Sequence, residues 1–329
     1  MGSLTFFILD LCLLPNIKRL LRLLCKLSQK AKRVMKIDFH VHSNYSDGKM
    51  SLEALFEEAG NRGLVAMSIT DHDTLDAQEK AISFAKKKGI WYVSGLELNV
   101  TFSHREYREG KPISLDFLGY GYDIRHKALA KKLRELRDYR KNRGEKILKR
   151  ISEELRKEGL EVLSSEDLLG SQPSTDAALG RPHLARYLIQ MGIVRSRQDA
   201  FDKYLVKCNV PKLPLSLEEA AKLVRDAGGM LFFAHPSDSR GTSLIKLTDS
   251  LEKQQRIIEE SMFPHIDGIE CWHPRHTPES IQSYLSFAKK HGLLVSGGSD
   301  CHQDPVLLGS VDVPDEVAYG LGFPREVRG

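Results

Sequence analysis

The chain has 329 residues, 41% hydrophobic and 28% charged, enough apolar material for a sizeable core, which excludes a disordered, collagen-like or low-complexity chain. Its five cysteines, Cys12, Cys25, Cys208, Cys271 and Cys301, are odd in number and form no CxxC pair, so no disulfide framework is expected and a reducing, cytoplasmic setting is the default. The formal charge of +5 does not argue for a nucleic-acid partner: residues 1–34 hold seven Lys or Arg and one Asp, leaving 42 basic against 43 acidic residues elsewhere.

That leader has an apolar run from Leu4 to Leu14, then leucines interleaved with Lys18, Arg19, Arg22 and Lys26. Its charges follow the apolar run, the reverse of a secretory signal, and the run is too short to span a bilayer. It reads either as a basic amphipathic helix that touches a membrane surface or as sequence from an upstream start codon, with the true start at Met35. The second is the expectation.

From Lys36 to Gly48 the sequence KIDFHVHSNYSDG ends a strand with His40 and His42 and places Asp47 in the next turn. Residues two apart on a strand point the same way, so both imidazoles can converge on one ion. Leu52, Leu55, Phe56 and Ala59 space a helix over 51–62, with Ser51 as N-cap and Gly63 as stop. A strand over 64–70 delivers Asp71 and His72 in ITDHD; a helix over 74–88 and a strand over 90–97 follow, the latter ending at Glu97. Each unit is a short apolar run with a His, Asp or Glu at its carboxyl end. Such units build a site on the C-terminal rim of a parallel barrel.

The rhythm stops near Tyr122. From Arg125 to Arg150 there are twelve Lys or Arg against three Asp or Glu, with an apolar face of Leu129, Leu133, Leu136, Ile147 and Ile151, predicting a long basic helix. Helical segments continue through 181–206, and Pro211 and Pro214 close the excursion. Residues 124–215 therefore read as a helical insertion between barrel segments 35–123 and 216–329. The barrel resumes with a helix over 216–227, a strand over 230–234 ending at His235, a strand over 266–271 carrying Glu270, and a strand over 293–297 leading to Asp300 and His302. Insertion and barrel should enclose a cleft. Cys301 alternates away from its neighbours and is expected as a buried thiol.

A lone HxH is often two ordinary histidines at a strand edge; its repetition in TDHD, GLE and SDxH makes this a multinuclear metal pattern. Mixed imidazole and carboxylate donors suit Mn, Zn or Fe, and a carboxylate such as Glu97 can bridge two cations. Paired cations roughly 3.5 to 4 Å apart acidify water and stabilise phosphoryl oxygens during in-line attack. Water is then the expected nucleophile.

The blocks HVHSNYSDG, ITDHD, GLE, AHP and SGGSDCH resemble the signatures of the PHP (polymerase and histidinol phosphatase) metallophosphoesterases, over nearly everything from Met35 onward. GRPHLAR at 180–186, with the insert before it, is most similar to the branch that removes phosphate from nucleoside 3',5'-bisphosphates and trims RNA from the 5' end. The resemblance implies an α/β fold, a distorted (β/α)7 barrel with a helical insertion, and two or three divalent ions (Mn, Zn or Fe). It assigns ligation to His40, His42, Asp47, His72, Glu97, His235, Asp300 and His302, with His40, His42, Glu97 and Asp300 at the reaction centre. Chains similar to this family commonly begin just before the HxH, in keeping with a start at Met35.

One departure concerns ISLDFLGY, where the related phosphatases carry a histidine in the slot held by Asp116. Asp116 is expected to ligate as a harder donor; the alternatives are that His104 substitutes or that Asp116 is merely solvated. Arg140 and Arg143 share a helix face and, with Arg181 and His183, offer donors for a second phosphate, against the plainer reading of a solvated basic helix. His276 gains modest support from the resemblance, and His273 less. Tyr45 and Trp272 suit base stacking or core packing equally. The implied partner is a nucleotide or short single-stranded RNA, with no stable protein partner and membrane contact only through residues 1–34. The alternatives are a small-molecule phosphatase of histidinol-phosphatase type and a non-catalytic metal-binding module.

Overall fold

The computed structural model of the protein describes residues 35–160, 181–303 and 305–325; the leader and the segment 161–180 lie outside these. Strand β1 (Lys36–Val41) is buried beyond its first residue and pairs in parallel with β2 (Leu64–Ile69). Helix α1 (Leu52–Asn61) connects them. The Ser51 side chain accepts from the Ala54 N–H, and Leu52, Leu55, Phe56 and Ala59 are its buried face.

Helix α2 (Gln78–Lys88) starts four residues later than its apolar pattern suggests, because the Thr74 hydroxyl accepts from the Asp76 N–H and holds a turn there. The single strand expected over 90–97 is two: β3 (Trp91–Tyr92), paired with β2, and β4 (Gly95–Phe102), which belongs to a different sheet. The chain changes sheet at Gly95, where a Cβ would lie 2.0 Å from the Ser68 hydroxyl.

Strand β5 (Ile113–Tyr120) pairs antiparallel with β4 along its whole length and antiparallel with β6 (Met230–Phe233). This corrects the expectation of an all-parallel barrel. The β4–β5 connection carries no crossover helix, and a short connection permits only antiparallel neighbours. Beyond β6 the parallel pattern returns through β7 (Gly268–Trp272) and β8 (Leu294–Gly297). The strands thus form two sheets, ordered β1-β2-β3 and β4-β5-β6-β7-β8, joined by isolated bridges at Val41–Cys301 and His72–Glu97. The fold is mixed α/β, as expected, but no continuous closed ladder forms among the described residues.

Three apolar clusters carry the packing. One lies under β1, β2, α1 and α2; the largest lies under β4–β8, with α6 (Leu217–Asp226), α7 (Leu251–Ser261) and α8 (Pro278–His291) against it. Helix α3 (Lys127–Lys157) serves two clusters. Its Leu129, Leu133 and Leu136 join the largest, whereas Ile147, Leu148, Ile151 and Leu155 build a third with α4 (Arg181–Gln190), α5 (Arg197–Ala200) and a π-helical turn at Phe201–Leu205. Cys208, Cys271 and Cys301 are free and buried. No helix among the described residues is long and apolar enough to cross a membrane.

Gly298, just beyond β8, touches β1 so closely that a Cβ would lie 2.3 Å from the backbone nitrogen of His40. Gly298→Ala is expected to destabilise the protein by about 1–3 kcal/mol through this overpacking, read as a lower urea midpoint at unchanged denaturant slope.

Candidate metal centre

The strand ends bring the sequence-distant acids and histidines together around Glu97, which is 1% exposed. Its Oε2 lies 3.2 Å from His42 Nε2, 3.2 Å from His72 Nδ1 and 3.4 Å from His40 Nε2, while Oε1 lies 3.0 Å from His235 Nε2. Asp300 Oδ1 is 3.4 Å from His40 Nε2 and 3.3 Å from His42 Nε2. Asp47 faces His302 Nε2 at 3.1 Å and His72 Nε2 at 3.8 Å. The turns needed for this are strained: His235 and Asp300 have φ of 27° and 49°, a region that residues other than glycine seldom occupy.

Three groups have donor atoms close enough to share one ion: His40, His42 and Glu97; Glu97, Asp116 and His235; and His42, Asp47, His72 and His302. A test of fit comes from His40 Nε2, both ring nitrogens of His42 and Nδ1 of His235. These are buried and hydrogen-bond to no described residue, which a folded protein tolerates poorly without a partner. Imidazole nitrogens facing carboxylates form the donor chemistry of a divalent transition metal, and the residues fit such ions. Glu270, buried on β7, orients the set. Its Oε1 is 2.9 Å from His40 Nδ1 and its Oε2 accepts from the His235 N–H at 2.7 Å, as an outer carboxylate does for a ligating histidine.

Electrostatics follow from burial and proximity. Burial disfavours charge on His40, but Glu270, Asp300 and Glu97 outweigh it and raise the pKa well above that of free imidazole. His42 is raised likewise by Asp300 and Glu97 against its burial. His235 is raised to about 9, Glu97 overcoming the burial. Burial works against the charge of Glu97 too, yet His72 and His40 hold it well below the usual carboxylate range.

A cleft of about 480 Å³ opens over these groups. Asp47, His72 and Asp116 line its floor, and Arg140, Arg143, Arg181, Arg197, Lys212, Arg240 and Lys246 its walls. Burial, with the neighbouring cations Arg140, Arg143 and Arg181, pushes Lys212 down to about 8 despite the carboxylate of Asp116. Arg140 pairs with the buried Asp73. Arg143 is itself buried, donating to the Val210 carbonyl at 2.6 Å and to Asn209 Oδ1 at 2.8 Å, so it is no solvated helix residue. The Arg181 guanidinium lies 5.4 Å from the centre of the Phe201 ring.

His183 falls in α4, but its side chain lies outside the described ones. His276 stands apart from the cleft: Nδ1 is 2.8 Å from the Cys271 carbonyl and Nε2 accepts from the Ser237 N–H. Burial, reinforced by His273, lowers its pKa to about 4, and a neutral ring committed to backbone cannot serve as a phosphate-binding cation. His273 is the closer of the two, with Nε2 3.4 Å from Asp300 Oδ2. His104 remains outside the cluster, its Nδ1 accepting from the Glu106 N–H. Asp116 is buried within it rather than solvated. The sequence places Glu270 on its strand without a role, and Asn99, Thr242, Lys212 and Arg275 carry no pattern that marks them for the site. Only Glu270 had a local signal, as an acid on an apolar strand beside HPRH.

The PHP domain family model matches residues 38–209. The 3',5'-nucleoside bisphosphate phosphatase of Chromobacterium violaceum is 28% identical over 270 residues, 81% of this chain and 87% of the relative. The 5'-3' exoribonuclease Rnm of Escherichia coli is 26% identical over 272 residues, 81% and 85% of the two chains. A solved structure from Bifidobacterium adolescentis, described as a metal-dependent phosphoesterase, superposes with a TM-score of 0.69 at 27% identity, covering 87% of this chain and 94% of its own.

Two outcomes are expected. Because nearby carboxylates raise the pKa of His40 and His42, and that of His235 to about 9, a cation must displace protons from this cluster, so apparent metal affinity should rise with pH up to about 9; calorimetry in buffers of different ionisation enthalpy counts the protons released. Glu270→Ala should weaken metal binding about 10–100-fold, measured by titration of the chelator-stripped protein.

Proposed function

The chain belongs to the PHP domain family and is a metal-dependent phosphoesterase, and from that premise we propose that it hydrolyses nucleoside 3',5'-bisphosphates, short 5'-phosphorylated single-stranded RNA, or both. The observation that carries this reading is one cleft with metal-type donors on its floor and seven Arg or Lys residues on its walls. A single phosphomonoester needs far less positive charge than a molecule with a second phosphate or a nucleic-acid backbone. The relatives named for bisphosphorylated nucleosides and for RNA ends support the two forms of substrate.

In this reading His40, Glu97 and Asp300 hold one divalent ion, Glu97, Asp116 and His235 a second, and His42, Asp47, His72 and His302 a third. When bound, such ions supply Lewis acidity and lower the pKa of water. The chain's own residues do the positioning. Glu270 fixes the His40 ring through Nδ1 so that Nε2 faces the centre. Asp300 Oδ1 faces inward to take a proton from the attacking water, while His273 and Arg275 hold its Oδ2, the latter at 3.1 Å.

Arg181, Lys212, Arg240 and Lys246 hold the second phosphate. Arg140 and Arg143, partly committed to Asp73 and to residues 209–210, offer their remaining N–H donors. We read residues 124–215 as an insertion that closes the cleft, and the two sheets as halves of a distorted barrel.

The test is phosphate release from adenosine 3',5'-bisphosphate and mononucleotide release from a 5'-phosphorylated oligoribonucleotide, both with Mn²⁺. Activity is expected on at least one and should vanish in the His40→Ala, Asp300→Ala double variant. Arg181→Ala should raise KM for the bisphosphate about tenfold, the worth of one charge-assisted hydrogen bond, and leave p-nitrophenyl phosphate turnover nearly unchanged. Release from neither nucleotide substrate would sink the proposal.

A further inference from the structure

We infer that the donor groups of this centre differ in metal class: Glu97, Asp116 and His235 form an oxygen-rich pocket that takes Mn²⁺, whereas His42, Asp47, His72 and His302 form a nitrogen-rich pocket that takes Zn²⁺. The inference rests on the reading that these groups hold cations and adds which cation each would hold.

The two pockets are nearly opposite in donor count. The first offers two carboxylates and one imidazole, the second three imidazoles and one carboxylate. Imidazole suits Zn²⁺, while carboxylate and water suit Mn²⁺ and Mg²⁺, so selectivity between pockets follows from ligand type rather than overall affinity. In the nitrogen-rich pocket the His42 and His302 rings stack at 4.1 Å and His42 and His72 lie 4.7 Å apart. The imidazoles are thus gathered tightly around the lone Asp47.

The Asp116 carboxylate is held as an oriented donor. Asn99 lies directly opposite on β4 and donates its amide to Oδ1 at 2.5 Å, while the Thr242 hydroxyl donates to Oδ2 from the loop after β6. Behind Asn99, Lys212 Nζ donates to the Asn99 amide oxygen at 2.6 Å and to the Ser114 hydroxyl at 3.1 Å. The amide therefore links an ammonium to the carboxylate and polarises the bond between them. Polar groups on three different segments thus hold the Asp116 carboxylate aimed into the cluster.

The experiment is equilibrium dialysis of the chelator-stripped full chain against Mn²⁺ in roughly hundredfold excess over Zn²⁺, an excess chosen because Zn²⁺ binds most N/O sites more tightly. Metal content is then read by mass spectrometry and bound Mn²⁺ by electron paramagnetic resonance. Wild type is expected to hold both metals. Asp116→His should exchange Mn²⁺ for Zn²⁺ at unchanged total, and His302→Ala should lose Zn²⁺ while keeping Mn²⁺. Should Asp116→His fail to fold by its melting curve, the near-isosteric Asp116→Asn serves, with loss of Mn²⁺ and an unchanged Zn²⁺ count expected. Uptake of a single metal by wild type, or a Zn:Mn ratio unmoved by either Asp116 variant, overturns the inference while leaving the phosphoesterase reading intact. Binding of neither metal overturns both.

Discussion

Glu97 is a carboxylate taken almost wholly out of water, and a lone anion there would cost several kcal/mol. It is retained because His40, His42, His72 and His235 close around its two oxygens at 3.0 to 3.4 Å. Those imidazoles come from the ends of three different strands, so the ends of β1, β2 and β6 must meet the start of β4. Glu97 is also a mechanical joint. Its N–H donates to the Asp71 carbonyl at 3.2 Å and its carbonyl accepts from the Asp73 N–H at 2.9 Å, which ties the three-stranded sheet to the five-stranded one. Charge compensation and sheet assembly therefore depend on one residue.

Local patterns made much of this legible. His40, His42, His72, Glu97, Asp300 and His302 each follow a short apolar run, and strand alternation over a few residues suffices to aim them. What stayed hidden was non-local. The direction of β5 depends on its pairing with β4 and β6, which its own periodicity does not record. His273 and His276 lie three apart in a turn with no repeating geometry, so periodicity could not say which ring faces Asp300 and which serves the Cys271 carbonyl. Lys212 sits between two prolines and read as the end of an excursion. Its role comes from Asn99, more than a hundred residues earlier.

Helix α3 shows how a basic surface is made rigid. Its two apolar patches belong to different clusters, and Arg140 and Arg143 occupy the stretch between them. Arg143 reaches the backbone at Val210 and Arg140 reaches Asp73, so the helix is anchored at both ends and braced in the middle. Long side chains lose considerable freedom on binding an anion. Here part of that loss is already incurred in the folded protein, which favours recognition by a preset wall.

Gln303 closes the centre from behind. Its Nε2 donates to the carbonyls of His42 and Cys301 at 2.6 and 2.7 Å, and its Oε1 accepts from the N–H groups of Lys49 and Met50. The contact with His42 spans 261 positions of sequence. During synthesis the first histidine pair leaves the ribosome long before Asp300 and Gln303 are added, and N-terminal segments fold first. The nascent chain therefore carries two exposed imidazoles and no closing clamp through most of its production. Completion of the centre is a late, whole-chain event, and a product truncated before β8 would lack Asp300, His302 and Gln303 and with them a finished site.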